Sequence, residues 1–394
     1  LQLDHIDRVV RELDVGKIHQ RSLAALQRDV QAGGDEVIGD RVEPLGALGM
    51  ACAHAVRAAI GVHEKAGGHG GFSGNCRESV WVKVAAMNTE LSEKLTRLTD
   101  QISTIIVGKR AQIRDCVACL LAGGHLLIED VPGVGKTTLA HALSVSLGLR
   151  FSRVQFTADL MPTDLIGVSV YERSRESFMF HPGPVFAQVL LADEINRAGP
   201  RTQSALLEAM EEQQVTADGQ TRELPRPFFV IATQNPSDQL GTYALPESQL
   251  DRFLMCITLG YPDRASEREL LTGLDRRDAV QQLHAVMSPE DLLEAQRAVL
   301  AVHASSALLD YLQSLIAATR SGAWFAEGLS PRAGIAVLRA AKAHALLEGR
   351  DHVAPDDIQA ILVQTTAHRL VPLPGAGRGR AEQVRSMIEA TPLP

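Results

Sequence analysis

Two short stretches of this chain combine residue types that handle phosphate. The first is Asp130-Val131-Pro132-Gly133-Val134-Gly135-Lys136-Thr137-Thr138, which follows the apolar run His125–Glu129 and precedes a segment of helical period. A strand, a glycine-bearing loop and a helix in that order cradle a triphosphate. The glycines let backbone N–H groups curl inward, and the helix N-terminus adds its positive end. Lys136 supplies a mobile cation for the β- and γ-phosphates, and Thr137 carries the hydroxyl expected on Mg²⁺. The strict pattern has Gly at the first loop position, where this chain has Asp130. The second stretch, Val189-Leu190-Leu191-Ala192-Asp193-Glu194, is an apolar strand ending in two carboxylates. In a phosphate-loop fold, Asp193 belongs beside the Mg²⁺ shell and Glu194 faces the γ-phosphate, polarising the attacking water as a general base. A nucleoside triphosphate and Mg²⁺ are therefore the expected ligands, and attack of water on the γ-phosphate the expected reaction.

Two weaker signals follow. The run Phe229–Thr233 ends at Gln234-Asn235-Pro236, placing an amide at the tip of a buried strand within reach of the same water or phosphate. Leu245-Pro246-Glu247-Ser248-Gln249-Leu250-Asp251-Arg252-Phe253 then puts an arginine just before the last candidate strand. A planar, permanently charged guanidinium suits transition-state phosphate charge.

The elements that must position these residues alternate. Candidate strands His125–Glu129, Phe151–Phe156, Gln188–Asp193, Phe228–Gln234 and Phe253–Leu259 are separated by helical stretches, notably Thr137–Leu147 and Arg201–Gln214. That alternation predicts an α/β fold with a parallel sheet. After Tyr261-Pro262-Asp263 the chain becomes rich in Ala, Leu, Arg and Glu with helical period to Arg369, predicting a separate all-α unit. The expected domains are an α/β core over 87–262, a helical unit over 263–370 and a flexible Pro/Gly-rich tail over 371–394. Residues 1–86 read differently. They hold the glycine-rich run Gly67–Gly74 and weak periodicity, and a helix start is predicted at Thr89, its N-cap. The leader is expected to be an extension upstream of a native start near Met87, the alternative being a small helical domain.

Taken together, the ordered motifs resemble the AAA+ ATPases and, within them, the MoxR family. The stretches that carry the resemblance are 130–138, Ala192-Asp193-Glu194-Ile195-Asn196-Arg197-Ala198, 205–212, Ala232–Pro236, 241–253 and Ser330-Pro331-Arg332-Ala333. The resemblance implies an αβα phosphate-loop domain with an all-α lid and a homo-oligomeric ring, expected to be a hexamer, with ATP bound between subunits. It implies Asn235 as the sensor-1 residue and Arg252 as an arginine finger acting on the neighbouring subunit's ATP. It implies Arg332 as a sensor-2 residue coupling the γ-phosphate to the lid, and Ile106, Val107 and Gly108 as the border of the adenine. Arg197 and Arg201 are weaker candidates for the subunit interface. Two inserts fit this branch: Ile166–Gly183 reads as a β-hairpin, and Val215–Thr221 carries Asp218-Gly219 between β-prone residues. Such hairpins would face a ring pore and meet a protein client. The implied activity is a chaperone-like remodeller that works with a von Willebrand factor A domain protein to mature a client or insert its metal or cofactor. Rival readings are an ATP-dependent interaction switch with little turnover and a DNA-remodelling ATPase.

Composition narrows these choices. With 45% hydrophobic and 22% charged residues over 394 positions, the chain is neither fibrous nor wholly disordered. A net charge of -8 gives no overall attraction to nucleic acid, which weighs against DNA as partner. No apolar run reaches membrane-spanning length, and five cysteines make no disulfide framework, so a cytoplasmic protein is expected. Cys116 and Cys119, spaced like a redox or zinc pair, lie on a predicted helix without a second pair and are read as core. The run Gly377-Arg378-Gly379-Arg380 reads as solvated tail.

Overall fold

The computed structural model describes residues 75–235, 242–272, 276–373 and 379–393, with side chains from Glu90 onward except at 276–277. Most of the leader, including Gly67–Gly74, lies outside the described residues, as do Pro236–Gly241 and Gly377-Arg378. The first described element, α1 (Asn75–Ile105), passes through Met87 and Thr89 without a break. Thr89 is thus not an N-cap. The segment 75–88 contains neither Gly nor Pro, so nothing stops the helix from propagating back through it.

After α2 (Arg110–Leu121) come β1 (Leu126–Glu129), α3 (Lys136–Ser146), β2 (Phe151–Gln155) and α4 (Pro162–Ile166). Then follow β3 (Gly167–Glu172), β4 (Ser177–Pro182), β5 (Val189–Asp193), α5 (Pro200–Glu212), β6 (Gln214–Ala217), β7 (Gln220–Glu223), β8 (Phe229–Gln234), α6 (Glu247–Leu250) and β9 (Met255–Ile257). Five of the strands form one parallel sheet in the order β2-β5-β8-β1-β9. Each predicted strand is present, trimmed at its ends. Alternating side chains divide the core. Leu126, Ile128, Val189, Leu191 and Ile231 join the cluster with α1, α2 and α3. Leu127, Leu190, Ala192, Val230 and Ala232 join Leu206, Leu207 and Met210 of α5. Helices on both faces explain why β5 and β8 read as unbroken apolar runs.

Both predicted inserts are hairpins: β3 pairs antiparallel with β4, and β6 with β7. Asp218 (φ 55) and Gly219 (φ 71) both take the left-handed region that a tight two-residue turn requires.

The lid comprises α7 (Arg264–Thr272), α8 (Arg276–Gln281), α9 (Pro289–Ala301), α10 (Ser306–Arg320), β10 (Phe325–Glu327), α11 (Pro331–Leu347), α12 (Pro355–Thr366), a 3₁₀ turn (Ala367–Arg369), β11 (Val371–Pro372) and α13 (Arg380–Ala390). Its helix starts are written locally. Ser288, Ser305 and Ser330 each accept the N–H three residues on, and proline opens α9, α11 and α12. Asp357, fully buried, accepts both Arg350 nitrogens at 2.7 and 2.6 Å and pairs with His344 Nδ1 at 2.7 Å, which fixes α12 against α11. The C-terminal segment departs from the expected flexible tail. Val384 and Met387 of α13 are buried against the lid, because apolar residues at helical spacing there have a face to bury. Cys116 and Cys119 are fully buried in α2. No described helix is long and apolar enough to cross a membrane.

Two buried imidazoles stitch the layers together. His125 accepts the Val230 N–H on Nδ1 at 3.0 Å, so Nε2 carries the proton towards Met210 O at 3.2 Å. Burial pushes His125 down to about 4 and, with help from Arg369, His368 down to about 3. The unfolded chain therefore binds more protons than the folded one below the ordinary histidine range, and stability is lost as pH falls from about 6.5. Between pH 7 and 5 each imidazole costs about 2 kcal/mol. Asp115, which burial pushes up to about 6, offsets about 1 kcal/mol of that. The expected result is a lower urea midpoint at pH 5 than at pH 7, with the difference reduced in His125→Gln.

Candidate functional site

The phosphate loop leaves the carboxyl end of β1 and enters α3 through Gly133 (φ 86) and Gly135 (φ 94), conformations that a side chain would strain. A Cβ on Gly133 would meet nothing within 4 Å, so the loop presents open backbone there. The Asp130 departure has a structural purpose. Its carboxylate, buried, accepts the N–H of Val131 at 2.8 Å and of Gly260 at 2.6 Å, tying the loop to the chain just after β9. Its carbonyl accepts Lys136 Nζ at 2.6 Å. Burial pulls the Lys136 ammonium below its ordinary value, while Asp130, Asp193 and Glu194 act in the opposite direction. The loop lysine and both strand-end acids thus share one electrostatic site.

Ile106 lies beside the loop: a Cβ on Gly135 would sit 3.8 Å from its Cδ1. Gly108 (φ +72) has no room for a Cβ, which would fall 2.3 Å from Ser266 Oγ of α7. Val107 between them is half-buried. The segment expected to border the adenine is therefore held between the phosphate loop and the start of the lid.

Asp193 and Glu194 are coupled by a residue to which the sequence reading gave no role. The Thr233 hydroxyl, at the end of β8, donates to Asp193 Oδ1 at 2.6 Å and accepts the Glu194 N–H at 2.9 Å. Glu194 itself takes the left-handed region (φ 56, ψ 50), a strained conformation for a non-glycine residue that turns its side chain out of the strand. Its Oε2 accepts Gln155 Nε2 at 2.9 Å and pairs with Arg197 Nε at 2.8 Å. Asp193 Oδ2 accepts Arg153 through Nε at 3.1 Å and a second nitrogen at 2.6 Å. Arg153 and Gln155 share one face of the edge strand β2, whose register sets Gln155 against Asp193. The available signal was the two-residue spacing of Arg153 and Gln155, which puts both on one face of the strand. Arg197, a weaker candidate for the subunit interface, pairs with Glu194 within its own chain.

Thr137 and Asp193 offer hard oxygen ligands of the kind Mg²⁺ takes, so the residues present fit that ion. Asn235 follows directly after β8, beside Thr233. Arg252, half-buried, precedes β9. Arg332, at the start of α11, is ion-paired with Glu211 at the end of α5, and among the described residues no hydrogen bond or ion pair joins it to the phosphate loop.

Thr233 is fully buried, so Thr233→Val leaves a buried carboxylate oxygen and a backbone N–H short of partners. The expected cost is about 1–3 kcal/mol of stability with a fall in ATP turnover, checked by urea denaturation and phosphate release.

Comparison with known proteins agrees with this geometry. The family model described as the ATPase family associated with various cellular activities matches residues 125–255, and that of the AAA lid domain matches residues 317–388. An uncharacterised Bacillus subtilis protein, YeaC, is 44% identical over 78% of this chain and 98% of its own. Chaperone MoxR1 of Mycobacterium tuberculosis is 42% identical over 70% of this chain and 75% of its own. Protein MoxR of Methylorubrum extorquens is 32% identical over 78% and 98%. A crystal structure of a Cytophaga hutchinsonii protein described as an ATPase superposes with a TM-score of 0.74 at 35% identity, covering 80% of this chain and 99% of that one. With the phosphate loop, the paired strand-end acids and the helical lid in their places, this chain belongs to the MoxR family of AAA+ ATPases.

Proposed function

We propose that the protein is an ATP-hydrolysing remodeller of protein clients that works as a homo-oligomeric ring, with a hexamer as the expected size. The observation that carries this reading is the shared site of Lys136, Asp193 and Glu194 at the strand ends, with the two acids joined through Thr233. In the proposed mechanism the loop N–H groups and Lys136 bind the β- and γ-phosphates. Val107 and Gly108 border the base, and Thr137 and Asp193 would hold Mg²⁺, which would supply charge neutralisation at the phosphates. Glu194 takes a proton from the attacking water, for which it must exchange its contacts with Gln155 and Arg197 for that water. Asn235 orients the water. Arg252 of one subunit stabilises the charge developing on its neighbour's γ-phosphate, and Arg332 links the lid to nucleotide state.

The client-facing part of this proposal falls on the hairpins. Tyr171 and Phe178 pack edge to face on β3–β4 at 5.4 Å, with Phe178 72% exposed, a position open to a protein client. Arg222 of β7 lies 3.8 Å over the Phe180 ring, so the two hairpins present one continuous surface. A von Willebrand factor A domain protein as co-factor, and maturation of a client by metal or cofactor insertion, extend the same proposal from the resemblance to MoxR proteins.

Three variants test the catalytic assignment. Lys136→Ala is expected to lose ATP binding. Glu194→Gln is expected to bind ATP and trap it, with turnover down at least about a hundredfold. Arg252→Ala is expected to bind ATP normally and lose about 10³-fold or more in turnover. Mixing it with Glu194→Gln should restore activity, because each supplies what the other lacks. Normal hydrolysis by Arg252→Ala would remove that residue from the site, and specific activity independent of protein concentration would count against a ring.

A further inference from the structure

The lid holds the two residues that flank Arg252. Arg369, in the 3₁₀ turn after α12, has a side chain only 5% exposed, and its Nε lies 3.1 Å from Asp251 Oδ1, within ion-pair range though not aligned for a hydrogen bond. A terminal nitrogen of the same guanidinium donates to Asp251 O at 3.2 Å and Phe253 O at 2.8 Å. His368 Nε2 donates to the same Phe253 carbonyl at 3.0 Å. Phe253 is fully buried. Arg252 therefore sits between two residues whose main chain and carboxylate are gripped by adjacent lid side chains.

Burying a guanidinium is expensive, and a well-packed apolar residue would join lid to core at lower cost. What arginine adds is direction. One terminal nitrogen serves both carbonyls while Nε of the same rigid plane lies in ion-pair range of the carboxylate, a spread of contacts that the single-point ammonium of lysine does not reproduce. Held neutral by burial, His368 adds a second donor without a second buried charge. The Gln364 contact to Asp115, by contrast, joins lid and core away from Arg252.

We propose that Arg369 is a positioning residue for Arg252, fastening the finger-bearing segment to the lid so that lid position in one subunit sets the finger offered to the next. The proposal rests on the reading of Arg252 as a finger acting between subunits. It makes the lid the part that links one nucleotide site to its neighbour.

Mixing of full-length variants tests it. Arg369→Gln removes the grip, and Asp251→Asn, at a carboxylate 24% exposed, weakens it with less risk to folding. Each is expected to bind a fluorescent ATP analogue as tightly as the unaltered protein. Turnover in Arg369→Gln is expected to fall on the order of a hundredfold, as a misplaced group allows. Mixed with Glu194→Gln, each should recover activity towards the limit of roughly a quarter set by random ring assembly. Mixed with Arg252→Ala, each should recover nothing, since both partners lack a placed finger. Recovery with Arg252→Ala would put the defect in the variant's own ATP site and overturn the proposal. So would undiminished turnover in both variants, or no recovery with Glu194→Gln while the Arg252→Ala and Glu194→Gln pair recovers. Failure of that control pair would instead refute the finger acting between subunits, and the proposal with it.

Discussion

The Thr233 hydroxyl gives its proton to Asp193 and receives the backbone N–H of Glu194, so a single buried oxygen joins the ends of two strands. This bond exists only because β5 and β8 are adjacent and parallel, which brings their carboxyl ends level. Parallel order does the same for β1, whose end carries the phosphate loop next to β8. The acids, the loop and the segment at Asn235 thus meet at one edge of the sheet although they are far apart in sequence. The αβα layering buries the strands on both faces and leaves their ends as the place where backbone polarity is offered to a ligand.

Around this edge the structure balances charge rather than leaving it bare. Arg153 faces Asp193, Arg197 and Gln155 face Glu194, and Lys136 lies back on the Asp130 carbonyl. Several of these groups are part exposed, so each pair is individually weak. Their value is orientation: a carboxylate held by a neighbour is already pointed, and exchanging one partner for another costs less than ordering a free side chain.

The lid is tied to the core at separated points. Asp357 organises the lid internally, whereas Arg369 and His368 reach out to the segment before β9. Arg332 pairs with Glu211 at the end of α5. Sequence spacing identified it correctly as the start of a lid helix, capped by Ser330, but spacing carries no information on where that helix docks.

Much of the fold and of the loop was written locally. The strand–loop–helix at 126–146, both hairpins and the serine-capped lid helices depend on glycine, proline, capping and periodicity, which act over a few residues. The helix at 380–390 was missed because a short amphipathic segment behind Pro and Gly has no local sign that a partner face awaits it. Thr233, Arg153 and Gln155 were missed for a related reason: each works across strands, and their roles appear only when β2, β5 and β8 lie side by side. Sequence alone therefore determined the chemical types at the site and the elements that carry them. Tertiary structure decided which side chains face which acids, and that Arg369 grips the segment carrying Arg252, because those contacts join residues with no neighbourhood along the chain.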